Sequence, residues 1–104
     1  MTMNPELLAR LQRLADANIE LLPAGGVAHH FVFTRDGAAV LVQRREDGFG
    51  SIGSPGRITA RGFEPLVDAG NGPRFVFKGE ESPASDAETS AARSLLADLK
   101  SALA

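Results

Sequence analysis

HHFVFTRDGAAVLVQRR, residues 29–45, is the stretch of this 104-residue chain that decides its fold. Two runs rich in β-branched and aromatic residues, 31–34 and 40–42, flank the dipeptide Asp36-Gly37. An Asp-Gly pair accepts the positive φ angles of a type I′ turn, so the stretch predicts a β-hairpin over residues 28–45.

The turn also predicts the pairing of the two strands. A two-residue loop places Arg35 opposite Ala38, Phe33 opposite Val40 and Phe31 opposite Val42. Because strand side chains alternate between faces, both phenylalanines and both valines share one face, which we assign to the core.

The opposite face of the hairpin is half apolar. It carries Val32 and Leu41, with few charges between them, and Val76 is expected on the same face of a later strand. Either the helices divide between the two faces, or this face binds another subunit or partner.

Outward from the hairpin, the chain predicts more strands. Residues 63–79 form a second hairpin around Gly70-Asn71-Gly72, and Pro65 places its first strand at an edge or interrupts it. The intervening segment, residues 46–56, has so many glycines that we expect a loop there.

Two helices enclose these strands. Asn4 as N-cap and Pro5 at the first position begin an amphipathic helix that ends near residue 17 or 18. Residues 19–22 fit either a last helical turn or a first strand. Ser85 and Glu88 form a capping box that begins a C-terminal helix with an apolar stripe. We therefore expect a single α+β domain over residues 1–104, in which both helices pack on an antiparallel sheet of four to six strands.

Composition excludes several kinds of chemistry. The chain has no cysteine, which removes disulfides, thiolate catalysis and cysteine-ligated metals. No apolar stretch approaches the eighteen or so residues of a membrane span, and the amphipathic N-terminus is not a signal peptide. We expect a cytoplasmic protein, and the excess of arginine over lysine suggests a GC-rich bacterial genome. With no apolar span, no membrane partner is expected. The net charge is −2 and the basic residues form no dense stripe, so nucleic-acid binding is not expected either.

One motif suggests a ligand site. Residues 48–53, GFGSIG, fit the dinucleotide-binding pattern G-x-G-x-x-G, but the following Ser-Pro-Gly-Arg cannot begin the helix that this site requires. Backbone N–H groups of such a segment can still bind a phosphate or carboxylate beside basic side chains. The candidate residues for this site are Arg44, Arg45, Gly48, Gly50, Gly53 and Arg57.

No metal, cofactor or catalytic site is predicted. His29 and His30 are adjacent on a strand and point to opposite faces, so they cannot chelate one ion together. No serine lies in a G-x-S-x-G elbow, because Gly50-Ser51-Ile52-Gly53 is one residue out of pattern.

The sequence thus favours a small non-catalytic interaction domain over an enzyme. Its expected partner is itself, as a homodimer, or another protein, with Val32, Leu41 and Val76 at the interface. The alternative is an anion-binding or small-ligand-binding protein, or an enzyme, that uses residues 48–56 with the flanking arginines.

Overall fold

A computed structural model describes residues 5–22, 29–46, 48–70 and 72–104 of the chain. The elements are helix α1 (Pro5–Asp16), strands β1 (Glu20–Leu21), β2 (His30–Arg35), β3 (Ala38–Arg45), β4 (Gly48–Thr59), β5 (Gly62–Ala69), β6 (Gly72–Phe77) and β7 (Glu80–Pro83), and helix α2 (Asp86–Leu103). The strands form an antiparallel sheet in which each pairs with the next along the chain. The α+β class with a helix at each end is confirmed.

The sheet has seven described strands, so the prediction of four to six was wrong. The largest difference is β4, which occupies the glycine-rich segment expected to be a loop. Its pairing with β3 shifts register twice, between Val40 and Val42 and again between Val42 and Arg44. Such bulges absorb extra residues, so neighbouring strands can hold a segment of low intrinsic strand propensity in the sheet.

The β2–β3 hairpin has the predicted register. Phe33 pairs with Val40, Phe31 with Val42 and Arg35 with Ala38. The turn residues Asp36 and Gly37 have φ angles of 53° and 83°, as a type I′ turn requires. Ala28, the first residue of the predicted hairpin, lies outside the described residues.

Strand β5 changes partners halfway along its length. Residues 62–65 pair with β4, and residues 66–69 pair with β6. Pro65 stands at this change, where its missing N–H removes a donor from the ladder. The sheet therefore divides into two parts that share β5.

The helix ends follow from local chemistry. Asn18 has a φ of 59°, and the N–H of Ile19 donates to the C=O of Leu14 at 2.9 Å. This is a Schellman ending for α1, and it places Ile19 and Leu14 together in the core. The predicted N-cap of α1, Asn4, lies outside the described residues. Residues 20–21 are strand β1, which answers the ambiguity left by the sequence.

Helix α2 begins with the predicted capping box. The side chain of Ser85 accepts a hydrogen bond from the N–H of Glu88, and the Glu88 carboxylate accepts one from the N–H of Ser85. Neither described helix is long and apolar enough to cross a bilayer.

The core lies between the phenylalanine face of the hairpin and the helices. Phe33, Val40, Val42, Leu95 and Leu99 are fully buried there. Helix α2 contacts β2, β3 and β4, and α1 packs on α2. Leu14 of α1 belongs to the same cluster, so both described helices lie on one side of the sheet.

Candidate functional site

The other side of the sheet is covered by no described helix. Strand register places several hydrophobic residues on this side. Val32 and Ala39 are buried there, and we name six others together the helix-free face: Leu41, Ile58, Phe63, Pro65, Val67 and Val76. Five of them are half-buried, and Val67 is 43% exposed. The sheet therefore has one face covered by the described helices and an opposite face that carries partly exposed hydrophobic side chains.

The three residues predicted for an interface have unequal positions on this side. Leu41 on β3 and Val76 on β6 are both half-buried on the helix-free face, three strand spacings or about 14 Å apart across the sheet. Val32 points to the same side but is only 2% exposed, so it has little surface left to offer a partner.

Strands β4 and β5 come unusually close together at Gly56, near the centre of the helix-free face. Gly56 pairs with Ala39 on one side and Pro65 on the other. A Cβ at Gly56 would lie 2.2 Å from the carbonyl oxygen of Glu64 and 2.8 Å from the Phe63 ring. Glycine is therefore needed here for space, and the Phe63 ring occupies the position that a side chain would take.

On the helix side, the same strands hold a buried carboxylate. Glu64 is 1% exposed and accepts hydrogen bonds from Arg57 at 2.9 Å, Thr59 at 2.8 Å and Arg61 at 3.1 Å. Burial alone would raise the pKa of the Glu64 carboxyl, but the hydrogen bonds from Thr59, Arg57 and Arg61 outweigh it and hold that pKa below its usual range. The group stays ionised near neutrality and is enclosed by its donors, so its chemistry is structural.

Aromatic rings support the two arginines of this cluster. The Arg57 guanidinium lies 4.2 Å from the centroid of Phe75, and that of Arg61 lies 4.9 Å from the centroid of Phe77. Arg57 also reaches Glu88 at the start of α2. A hydrogen bond from the Ser85 N–H lowers the pKa of Glu88, as expected for a capping carboxylate.

Sequence reasoning did not find this cluster, although a signal was present. A tight turn at Ala60-Arg61 places Arg57 directly opposite Glu64, as the register shows. A glutamate at a position that alternation assigns to the core implies cationic partners, since an unpaired buried carboxylate is very unfavourable.

The residues of the predicted anion site do not lie close together in the structure. Arg44 and Arg45 are exposed at the end of β3, opposite Phe49 and Gly48. Arg57 lies nine residues further along β4, about 30 Å for a fully extended strand, and is engaged by Glu64. Gly48, Gly50 and Gly53 lie within β4 and not in a loop.

An open cleft of about 590 Å³ lies at the turn end of the β2–β3 hairpin. Its lining includes Glu20 and Asp36, which are exposed, and Arg35. Arg35 is already bound to Asp98 at 2.7 Å and to the C=O of Ala17 at 2.9 Å. None of the predicted site residues lines this cleft.

The histidines do not form a metal site with other residues that the structure describes. His29 is exposed with a φ of 63°, and its C=O accepts a hydrogen bond from the N–H of Arg44. His30, half-buried, begins β2. Within the described ranges, no group of three metal-binding side chains comes together.

The chain matches no protein-family model, no curated protein and no solved structure.

Proposed function

We propose that this protein is a small non-catalytic interaction domain that self-associates through its helix-free face. The observation that carries the proposal is the one-sided placement of the described helices, which leaves six hydrophobic side chains on the opposite face partly exposed. A symmetric pair of such faces is the commonest way to bury an apolar patch of this kind.

A stable contact on this face has to remove enough apolar surface from water. A standard interface buries about 800 Å² on each partner. Each additional 100 Å² of apolar surface removed from water contributes about 2.5 kcal/mol before the entropic cost of association.

The polar groups favour a binding role over catalysis. Glu64, the most enclosed ionisable side chain among the described residues, is fully engaged by Arg57, Thr59 and Arg61 and presents no free atom to a substrate. The alternative anion site would need Arg57 beside Arg44 and Arg45, but Arg57 lies near the C-terminal end of β4, whereas Arg44 and Arg45 of β3 pair with its N-terminal end. We therefore prefer the interaction domain.

The test is the molar mass in solution at several protein concentrations, measured by multi-angle light scattering and sedimentation velocity. We expect a mass near twice the 10.9 kDa of one chain at high concentration, with dissociation on dilution. Val67→Asp places a charge on the helix-free face at its most exposed position, and we expect that variant to be monomeric.

Ser90→Asp is the matched control, because it adds the same charge at an exposed position on α2, on the other side of the sheet. It should dimerise like the wild type. A wild-type protein that stays monomeric at all concentrations would contradict self-association, and a dimeric Val67→Asp variant would contradict the assigned face.

A further inference from the structure

Strand β4 has one open edge along most of its length. Its pairing with β3 spans residues 48–56, whereas its pairing with β5 begins at Gly56 and ends at Thr59. From Leu66 onward β5 pairs with β6 instead. Among the described residues, no strand therefore pairs with the outer edge of residues 48–54.

The two end strands of the sheet are protected against pairing, and this edge is not. β1 has only two residues, and β7 is a four-residue strand with two glutamates and a proline. Short length, charge and proline are the usual means by which natural sheets prevent further strands from adding. Residues 48–54 contain neither a charged residue nor a proline.

The side chains along β4 indicate which kind of strand would fit. Phe49 and Ile52 are half-buried and pack against the core, so a neighbouring strand would meet an apolar surface on the helix side. Ser51, Gly53 and Ser54 are exposed and small, which leaves room for the side chains of that strand. β-Branched residues at alternate positions would fill this space.

Pairing of this edge with a second copy of itself is less favourable. Residues 48–54 contain three glycines and two serines, so self-pairing would set small residues opposite one another. Cross-strand contacts between side chains stabilise a pair of strands, and such a pair would have few of them.

Two cations of β3 lie at the Gly48 end of β4, across β4 from the open edge, and the Arg45 side chain extends over β4, with its Nε 2.7 Å from where a Cβ of Gly50 would stand. Arg44 lies 5.6 Å from the centroid of the Phe31 ring, and Arg45 donates to the Gln43 side chain at 3.4 Å. Neither forms an ion pair with a carboxylate of the described residues. A strand antiparallel to β4 would have its C-terminal end at this end of β4, so a carboxylate there would be attracted to the Arg45 side chain that lies over Gly50.

We propose that the open edge of β4 binds an extended segment of another protein by strand addition. The segment runs antiparallel to β4, carries β-branched residues at alternate positions and has a carboxylate at its C-terminal end, where the Arg45 side chain lies over β4. Main-chain hydrogen bonds supply the affinity, and the apolar and charged contacts supply the specificity. This site is separate from the helix-free face, because strand addition extends the sheet in its own plane.

The test is an NMR titration of the 15N-labelled full chain with a defined peptide, up to about 1 mM. The peptide is an acetylated, amidated heptamer in which threonine and valine alternate and the last residue is glutamate. We expect amide shifts at residues 48–54, with affinity reduced about two- to fivefold when the glutamate is replaced by lysine. Arg45→Glu, an exposed change, should reverse the order of the two peptides.

A peptide N-methylated at alternate amides is the control, because it lacks the donors that pairing needs. No shifts up to the highest concentration, equal shifts with the methylated peptide, or shifts confined to the helix-free face would each overturn the proposal. Protection of residues 48–54 in a dimer without peptide would overturn it in favour of a second copy. A monomeric wild type that binds the peptide would refute the proposed self-association and uphold the strand site, so the two can fail separately.

Discussion

Replacing Gly56 with alanine tests whether the close approach of β4 and β5 holds the divided sheet together. Gly56 is buried and pairs with both Ala39 and Pro65, at the point where β4 passes from one partner strand to the other. An added Cβ would lie 2.2 Å from the Glu64 carbonyl oxygen and 2.9 Å from its carbonyl carbon. These are backbone atoms, so the contact is relieved only if the two strands move apart.

The expected magnitude follows from the kind of atom that must move. Overpacking in a well-packed interior typically destabilises by about 1–3 kcal/mol, and a clash against backbone lies toward the upper end. For a domain of this size, that free energy corresponds to a melting temperature lower by roughly 5–20 °C.

Gly50→Ala is the matched control within the same strand. Its Cβ would also be crowded, lying 2.7 Å from Arg45 Nε and 2.8 Å from Gln43 Oε1. These two atoms lie toward the ends of flexible side chains of exposed residues, which can swing away, and the third neighbour, Gln43 Cβ at 3.0 Å, has to give by only a few tenths of an ångström. We expect a change within about 0.5 kcal/mol.

Urea unfolding followed by circular dichroism measures both variants, and the difference in the free energy of unfolding is the result of interest. Gly70→Ala, where a Cβ meets no atom within 4 Å, gives the baseline for a glycine-to-alanine change outside a crowded site. Equal stabilities for Gly56→Ala and Gly50→Ala would refute the reasoning. It would mean that the β4–β5 approach is looser than the register and the contacts imply.

Three further perturbations test the elements around the candidate surfaces. The pKa of Glu64 is lower in the folded protein than in the unfolded chain. The ionised Glu64 carboxylate therefore stabilises the fold above about pH 4.3, and this stabilisation is lost as the pH falls through the pKa of the folded state. Glu64→Gln should therefore unfold at lower urea than wild type at pH 7, and the difference should shrink on acidification below pH 4. Ser85→Ala removes the N-cap acceptor of α2 and should cost about 1 kcal/mol in urea unfolding, whereas Ser90→Ala should change little. Leu99→Ala in the core should lower the free energy of unfolding by about 2–5 kcal/mol, and Leu8→Ala, 51% exposed, should lower it far less by the same measurement.

The hairpin and the capping box could be predicted because the signals are local. Asp36-Gly37 specifies its own turn, the turn specifies the register, and alternation then assigns Phe33 and Val40 to the core. Ser85 and Glu88 satisfy one another within four residues. Neither prediction needed information from distant parts of the chain.

Strand β4 could not be predicted in this way, because its residues do not favour a strand on their own. Pairing with β3 along residues 48–56 and with β5 along residues 56–59 holds β4 extended. The pairing with β3 also includes two bulges that no local sequence pattern reveals. The predicted anion site depended on the same loop. A loop could have brought Arg57 back toward Arg44, whereas a strand holds these two residues far apart. Helix placement was equally nonlocal, because the amphipathic pattern of α2 gives the width of its apolar stripe but not which face of the sheet it covers.

The ion pairs of α2 help to explain why this helix leaves the helix-free face and the outer edge of β4 uncovered. Arg35 of β2 binds Asp98, Arg57 of β4 binds Glu88, and Asp68 of β5 binds Arg93, so the helix is tied to strands in both parts of the divided sheet. Exposed pairs of this kind contribute less than about 1 kcal/mol each, and burial of Leu95 and Leu99 supplies most of the attachment. Their effect is to fix the direction in which α2 crosses the sheet. With that direction fixed, α2 covers one face of the sheet and reaches neither the opposite face nor the outer edge of residues 48–54 in β4.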